Sequence, residues 1–371
     1  MAMTKDMSRY WREEFDKAML EIDMDSSPGL CQFAQYGPTN AAVFKYKDGV
    51  WCKDREKEVR DVVFFRMQQL LRGELVADDI KMFVKPEPHK PEKMAQGRFR
   101  LISAVSLVDA LVDRILFGWL SRKALTVVGK TPCLTGWSPV HGGWKYIEHR
   151  FSGKPVVCLD KSSWDWTVQE WLITAWFEFL KGLALGADSW WVELVSARFQ
   201  MLFERPIYQF ADGTRVQQKY VGIMKSGCFL TLILNSVGQS MLHYVASLRI
   251  GRNPIRNQPI SVGDDTTQES FPELEEYINQ ISRLGAKVKG FKVRHWVEFI
   301  GFAWIKGVCV PAYWQKHLFK LQYSHLEDVL QSYQILYANE PVMFELLRRL
   351  AKEVNPELVM SSYEAKAIMN Y

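Results

Sequence analysis

The chain has 371 residues, enough for one large unit or two to three smaller ones around sizeable cores. Its 48% hydrophobic and 24% charged residues are those of an ordinary globular protein, which excludes disordered, fibrous and disulfide-scaffold classes. The formal charge of +5 is unevenly placed: Lys81, Lys85, Lys90, Lys93, Arg98 and Arg100 stand against only Glu87 and Glu92, so one short segment carries +4 of it and suits phosphate, although a solvated loop has the same look.

In chain order, residues 1–80 read as helices and loops, with helical periodicity over Asp61 to Leu71. The prolines of Lys85-Pro-Glu-Pro-His-Lys-Pro exclude helix there, because each restricts its predecessor to extended conformations. Ser103 to Leu125 has helical spacing. Lys154 to Leu159, entered through Gly153 and Pro155 and rich in valine, is a buried strand that ends at Asp160. A helix from Trp166 to Leu185 follows, then a hairpin over Phe203 to Tyr220 with Asp212-Gly213 at its turn. Ser226 to Leu248 reads as a helix opened by Ser226-Gly227, and Ile260 to Thr267 as strand, Gly-Asp-Asp turn, strand. Phe271 to Leu284 is helical, Phe299 to Cys309 starts another hairpin, and the remainder is mostly helical. That order describes a mixed α+β core sheet with helices against one face.

Six cysteines without CxxC spacing read as reduced thiols, and the fourteen tryptophans mostly as core. The charged stretch from Met1 to Phe15 has no signal-peptide core, and no run reaches about 18 apolar residues, so no membrane span is expected.

The chemistry concentrates in a few places. Gly263-Asp264-Asp265 puts adjacent carboxylates at a tight turn; alone such tripeptides occur by chance in surface turns. Asp160 ends a buried strand 104 residues earlier. If that strand lies beside the hairpin, Asp160 and Asp264 meet at one sheet end, where two Mg²⁺ ions roughly 3.5–4 Å apart would fit between them and a nucleotide's phosphates. Thr231 and Asn235 lie four residues apart on one face of an apolar helix, within reach of a ribose, while capping and back-bonding are the bland readings of Ser226 and Thr231. Arg100 is suited to bidentate phosphate contact, and Lys85 and Arg98 to a triphosphate.

In this order the elements resemble the RNA-dependent RNA polymerases of positive-strand RNA viruses. Asp160 to Asp165 is similar to their motif A, Ser226-Gly227-x3-Thr231-x3-Asn235 to motif B, Gly263-Asp264-Asp265 to motif C, and Lys85-x-Glu87 with Arg98 and Arg100 to motif F. Leu159-Asp-Lys-Ser-Ser-Trp-Asp-Trp and the run Arg100 to Asp109 resemble the sobemovirus and polerovirus group in particular.

The resemblance implies a right-hand fold with an antiparallel palm sheet backed by helices. Fingers would span 1–153 with a contribution from 186–222, the palm 154–310 and the thumb 311–371. It implies Asp160, Asp264 and Asp265 as metal ligands for two Mg²⁺ ions, with Mn²⁺ as a substitute. Asp165, Ser226, Gly227, Thr231 and Asn235 would recognise the ribose, and Lys85, Arg98 and Arg100 the incoming triphosphate. A motif D lysine would act as general acid; Lys287, Lys289 and Lys292 are candidates, with Lys292 favoured. Phe299 to Phe302 falls where motif E grips the primer. The implied partners are NTPs, template and nascent RNA, and a viral protein primer or membrane-anchored replication protein, in host cytoplasm on membrane-associated complexes. At this length the class would have abbreviated fingers or be part of a longer product. A reverse transcriptase would share the aspartates but has no use for the pattern around Asn235; a scaffolding relative would not need every acid, nor a metal-dependent nuclease the motif B helix.

Overall fold

The computed structural model describes residues 5–89 and 91–371; Lys90 of the basic segment and residues 1–4 of the amino-terminal stretch lie outside the described residues. Strands run, in chain order, over Ile80–Val84 (β1), Leu101–Ala104 (β2), Val156–Cys158 (β3), Ile207–Gln209 (β4), Arg215–Gln217 (β5) and Ile260–Val262 (β6). They continue over Asp265–Glu269 (β7), Val293–Arg294 (β8), Val297–Phe299 (β9), Phe302–Ile305 (β10) and Val308–Pro311 (β11). The chain divides into two compact units, Met1–Lys123 with Ser163–Leu234, and Ala124–Ser162 with Asn235–Tyr371.

The first unit holds a sheet of order β2-β1-β4-β5, in which β1 and β4 are parallel and the other pairs antiparallel. The β4–β5 turn is the one predicted: Thr214 N–H donates to Asp212 Oδ1 at 2.9 Å, and Gly213 takes a φ of +85°. Around the sheet stand helices whose apolar residues recur at helical spacing. In Lys53–Leu71 these are Val59, Val63, Met67 and Leu70, all buried, with Asp54 and Glu56 in the first turn where the helix dipole favours acids. Leu107–Thr126 is buried nearly all round and carries two acids inward, Asp109 and Asp113. The side chain of Arg198 meets both: Nε and Nη2 donate to the Asp113 carboxylate at 2.7 and 3.0 Å, and Nη1 lies 3.5 Å from Asp109.

The second unit holds an antiparallel sheet of order β6-β7-β3-β8 and a three-stranded sheet of order β11-β10-β9. Ile260, Val156, Val297, Phe299 and Trp304 from these strands share a core with Trp144, Ile147 and Phe151, and with the helices Leu326–Leu336 and Pro341–Val354. Polar residues are also buried here. Thr266, Thr267 and Gln268 of β7 are sealed from solvent, and Thr267 Oγ1 donates to Glu298 O at 2.9 Å.

Several sequence expectations need correction. There are three sheets among the described residues, not one core sheet, and β1 and the helix Ser189–Phe199 were not anticipated. The helix expected from Ser103 begins at Leu107, because Ser103 and Ala104 pair with Met82 and Lys81 in β1, and Ser106 Oγ accepts from Asp109 N–H as a cap. The helix expected over Trp166 to Leu185 is two, Trp164–Thr167 and Glu170–Leu183, split where Val168 O accepts from Ile223 N–H at 3.0 Å and Gln169 bridges Gly222. The hairpin expected from Phe203 starts at Ile207, since Phe203 and Glu204 close a π-helical turn over Gln200–Glu204. The helix expected from Ser226 begins at Thr231. At Ser103 and at Val168 a distant segment supplies a partner that local periodicity cannot reveal.

Seven of the fourteen tryptophans are buried, among them Trp11 and Trp176. All six cysteines are free thiols. No helix among the described residues is long and apolar enough to cross a membrane.

Candidate active site

In the second unit β3 and β7 pair antiparallel with Cys158 opposite Thr267 and Val156 opposite Glu269. Continued two residues beyond Cys158, where the ladder ends, that register would bring Asp160 opposite Asp265, and Thr266 Oγ1 lies 3.4 Å from Leu159 O. Two carboxylates far apart in sequence therefore reach the same end of one sheet because a three-residue apolar strand ends where a tight turn begins. β6 and β7 are joined by two residues, Gly263 and Asp264, with Val262 opposite Asp265. A two-residue hairpin loop calls for a primed turn, which glycine supplies at its first position with a φ of +63°.

The turn is clamped from the helix Thr231–Arg249. Ser236 Oγ accepts from Gly263 N–H at 2.8 Å, and Ser236 O accepts from Ser261 Oγ at 3.0 Å. Sequence reasoning missed Ser236; its signal was a second small polar residue beside Asn235 in an apolar helix.

On the other side of β3, residues 286–289 run beside Asp160. Lys289 N–H donates to Asp160 O at 3.0 Å and Ser162 N–H to Lys287 O at 2.7 Å, while Lys161 bridges Val288. The Lys289 ammonium reaches the Asp160 carboxylate at 3.0 and 3.3 Å. Lys292, the favoured motif D residue, is exposed.

Lys161, also not singled out from sequence, is buried and donates to Thr266 Oγ1 at 3.3 Å. Burial pushes its pKa down to about 8, opposed by Asp264, Asp265 and Asp160, so one ammonium senses all three carboxylates. Asp265 keeps access to solvent, yet the protein packed about it, with help from Asp264 and Glu298, raises its pKa to about 6 against Ile300 N–H, which donates to its Oδ2 at 2.9 Å. Beside Asp265 opens a cavity of about 300 Å³ lined by Ile300 to Phe302 and by Tyr313, Lys316, His317 and Lys320.

Among the described residues no three His, Cys, Asp or Glu side chains stand as a ready-made metal centre. The donor set nonetheless fits a hard divalent cation in kind, being carboxylate oxygen throughout at one sheet end. Asp160 is engaged with Lys289 and Asp265 with Ile300, and ligation requires that the first of these bonds open.

The first unit holds the other candidates. Ser226 Oγ accepts from Ser103 N–H at 3.0 Å, and Ser103 Oγ accepts from Ser226 N–H at 2.9 Å. Gly227 N–H donates to Ser103 O at 3.0 Å, and a Cβ on Gly227 would meet that oxygen at 2.6 Å, so only glycine fits. Asp165 and Ser226 line one small hollow together with Ser103, Trp166 and Tyr208. Thr231 Oγ1 donates to Lys225 O at 2.5 Å and Cys228 O at 2.8 Å, the back-bonding arrangement. Asn235, whose residue opens the second unit's share of that helix, is buried.

Lys85 and Arg100 flank the β1–β2 pair, with Lys85 N–H donating to Arg100 O at 2.8 Å. Both reach Glu87, at 3.0 and 2.7 Å, and against the effect of its burial they hold the Glu87 carboxyl below its usual range. Arg98 is exposed, and its side chain donates to Gln96 Oε1 at 3.4 Å.

The model of the family described as viral RNA-dependent RNA polymerase matches residues 10–294. The chain is 31% identical over 228 residues to the replicase polyprotein P2AB of Cocksfoot mottle virus, covering 58% of this chain and 24% of that one. It is 26% identical over 392 residues to protein P1-P2 of Potato leafroll virus, covering 95% and 34%. With the RNA-directed RNA polymerase of Mushroom bacilliform virus the identity is 25% over 330 residues, covering 83% and 76%. The chain thus spans about a quarter to a third of the polyproteins it matches. Its α+β architecture, with antiparallel sheets backed by helices, is consistent with the family's right-hand fold, and membership implies two-metal nucleotidyl transfer in general terms. With a matching span that includes Asp160, Asn235 and Asp264, this chain belongs to the viral RNA-dependent RNA polymerase family, in the group of the sobemovirus and polerovirus replicases.

Proposed function

We propose that the chain copies RNA by template-directed transfer of nucleotides from NTPs to an RNA 3′-hydroxyl. The observation that carries the reading is the β3–β7 pairing, which brings the strand leading to Asp160 beside the one that opens at Asp265, next to a turn braced by Ser236. Asp160, Asp264 and Asp265 would hold two Mg²⁺ ions, or Mn²⁺ in their place, which when bound lower the pKa of the attacking hydroxyl and steady the departing pyrophosphate. Asp165, Ser226, Gly227, Thr231 and Asn235 serve ribose recognition, the choice that separates RNA from DNA precursors. Lys85, Arg98 and Arg100 receive the triphosphate; for Lys85 and Arg100 this means exchanging Glu87 for phosphate.

For the general acid, the ion pair with Asp160 favours Lys289 over Lys292. The cavity beside Asp265, with two lysines on its rim, suits the phosphates of a primer end or first nucleotide. In domain terms, we assign 1–153 with 186–222 to fingers, 154–310 to palm and 311–371 to thumb. A protein primer or membrane-anchored replication protein, and work in membrane-associated complexes of the host cytoplasm, belong to the same proposal.

The test is labelled UTP incorporation on an RNA template with Mg²⁺ or Mn²⁺, by the chain and by Asp264→Ala. Synthesis by the first, and its abolition in the second with RNA binding kept, supports the reading. Unaltered synthesis by Asp264→Ala overturns the metal assignment, and preference for dTTP over UTP overturns the RNA assignment.

A further inference from the structure

Lys225 is a buried cation that none of the chemistry above uses. Its side chain is wholly inside the first unit. The ammonium donates to Ile223 O at 2.7 Å, Gln218 Oε1 at 2.8 Å and Gly222 O at 3.3 Å. The faces of Phe203 and Tyr208 complete the cage, with ring centroids 5.4 and 5.8 Å away. Among the described residues no carboxylate pairs with it, and burial pushes its pKa down to about 7. An ammonium taken from water without a counter-ion is costly, and this one is compensated by backbone and amide oxygens and by aromatic faces.

Those oxygens belong to the loop that leads into Ser226 and Thr231. The loop is unusual in its backbone. Ile223, a β-branched residue, adopts a φ of +54°, and a Cβ on Gly222 would come within 2.3 Å of Val168 O. Ile223 N–H and Met224 N–H donate to Val168 O and Asp165 O, at 3.0 and 2.8 Å. Lys225 O in turn accepts from Thr231 Oγ1 at 2.5 Å and Cys228 N–H at 2.9 Å. Gln218 carries the same pull outwards, its Nε2 donating to Phe203 O and Tyr220 O, both at 2.6 Å, and its Oε1 accepting from Tyr208. One side chain thus gathers the carbonyls of the strained turn, while its own carbonyl anchors the first helical residue.

We propose that Lys225 is a positioning residue for sugar selection: by chelating the Gly222 and Ile223 carbonyls it holds Ser226 and Thr231 in register with Asp165, and so sets discrimination between ribonucleotides and 2′-deoxyribonucleotides. The proposal rests on the ribose-recognition reading of Asp165 and Ser226. A hydrogen-bonded choice of hydroxyl over hydrogen depends on donors and acceptors held to fractions of an ångström. A loop in a strained conformation relaxes when the group that gathers its carbonyls is removed.

The experiment measures kcat/KM for UTP and for dUTP on one RNA template with the chain, Lys225→Met and Gln218→Leu, with melting temperature and template affinity recorded for each. The unmodified chain tests the underlying reading, which fails if it takes both nucleotides equally. Given a preference for UTP, Lys225→Met is expected to lower the UTP/dUTP ratio about tenfold, through UTP more than dUTP, with template affinity nearly unchanged. Gln218→Leu, which removes one of the three acceptors, should shift the ratio the same way by less, and decides the matter if Lys225→Met does not fold. Loss of activity on both nucleotides in equal proportion, with the ratio unmoved in the variants that fold, overturns the proposal and leaves Lys225 a structural residue.

Discussion

Ser103 and Ser226, 123 residues apart in sequence, hold each other by a reciprocal pair of bonds in which each hydroxyl accepts the other's backbone N–H. The arrangement welds the strand after the basic segment to the loop before the helix Thr231–Arg249. Ser103→Ala leaves Ser226 N–H without its acceptor in a partly buried place, at a cost of about 1–2 kcal/mol. A urea midpoint lowered accordingly, with a higher KM for UTP, is the expected outcome; an unchanged midpoint would show that water replaces the hydroxyl without loss.

The proposal of Lys289 as general acid rests on its ion pair with Asp160. Lys289→Met is expected to lower kcat by about a hundredfold, the usual scale of general-acid catalysis, while Lys292→Met leaves kcat nearly unchanged. Single-turnover incorporation with each variant distinguishes them, and the larger loss at Lys292 would return the role to that residue.

Arg198 is the countercharge of a sealed acid cluster. Its guanidinium is the bidentate partner of Asp113 and stands near Asp109, which also takes Arg66 Nη1 at 2.6 Å. Burial raises the pKa of Asp113, against the attraction of Arg198. Arg198→Met would strand that carboxylate, and we expect a loss of about 3–5 kcal/mol in denaturant unfolding. Adding Asp113→Leu should recover part of it; a double variant no more stable than the single one would contradict an electrostatic origin.

His243 gives the second unit a dependence on pH. Its ring lies between Tyr277 Oη, 3.0 Å from Nδ1, and the carbonyls of Pro254 and Arg256, each 3.1 Å from Nε2. Burial pushes its pKa down to about 4, although the two carbonyls favour the charged form. An unfolded histidine takes its proton near pH 6.5, so the unfolded state binds more protons between those values. The stability contributed by the neutral ring is therefore complete above about 6.5 and lost as pH falls towards 4, on the order of 3 kcal/mol in all. Urea unfolding at several pH values should show this slope in the chain and a flatter one in His243→Gln; parallel slopes would exclude His243 as the source.

Much of the candidate site was legible because its signals are local. A valine strand leading to Asp160 and a glycine turn bearing Asp264 need no tertiary context, and both are present, the strand shortened to Val156–Cys158. The Asp212-Gly213 hairpin turn was legible for the same reason. What could not be read was the competition for backbone groups. Ser103 and Val168 look helical by periodicity, yet Ser226 and Gly227 claim the backbone hydrogen bonds of the first and Ile223 that of the second, all remote in sequence. Lys225 and Lys161 look like surface lysines in the sequence, and only the packing makes them buried cations.

By itself the amino-acid order determined which acids and hydroxyls are available, where strands end and turns begin, and the polymerase family to which they point. Only the tertiary structure decided that the strand leading to Asp160 pairs with the one that opens at Asp265, that Ser236 braces the Gly-Asp-Asp turn, and that Lys289 rather than Lys292 touches the Asp160 carboxylate. The physical reason is range: conformational preference acts over a few residues, whereas register and burial arise from pairings across a hundred, and a shift of one position in the β3–β7 pairing would turn the side chains of a strand to the other face of the sheet.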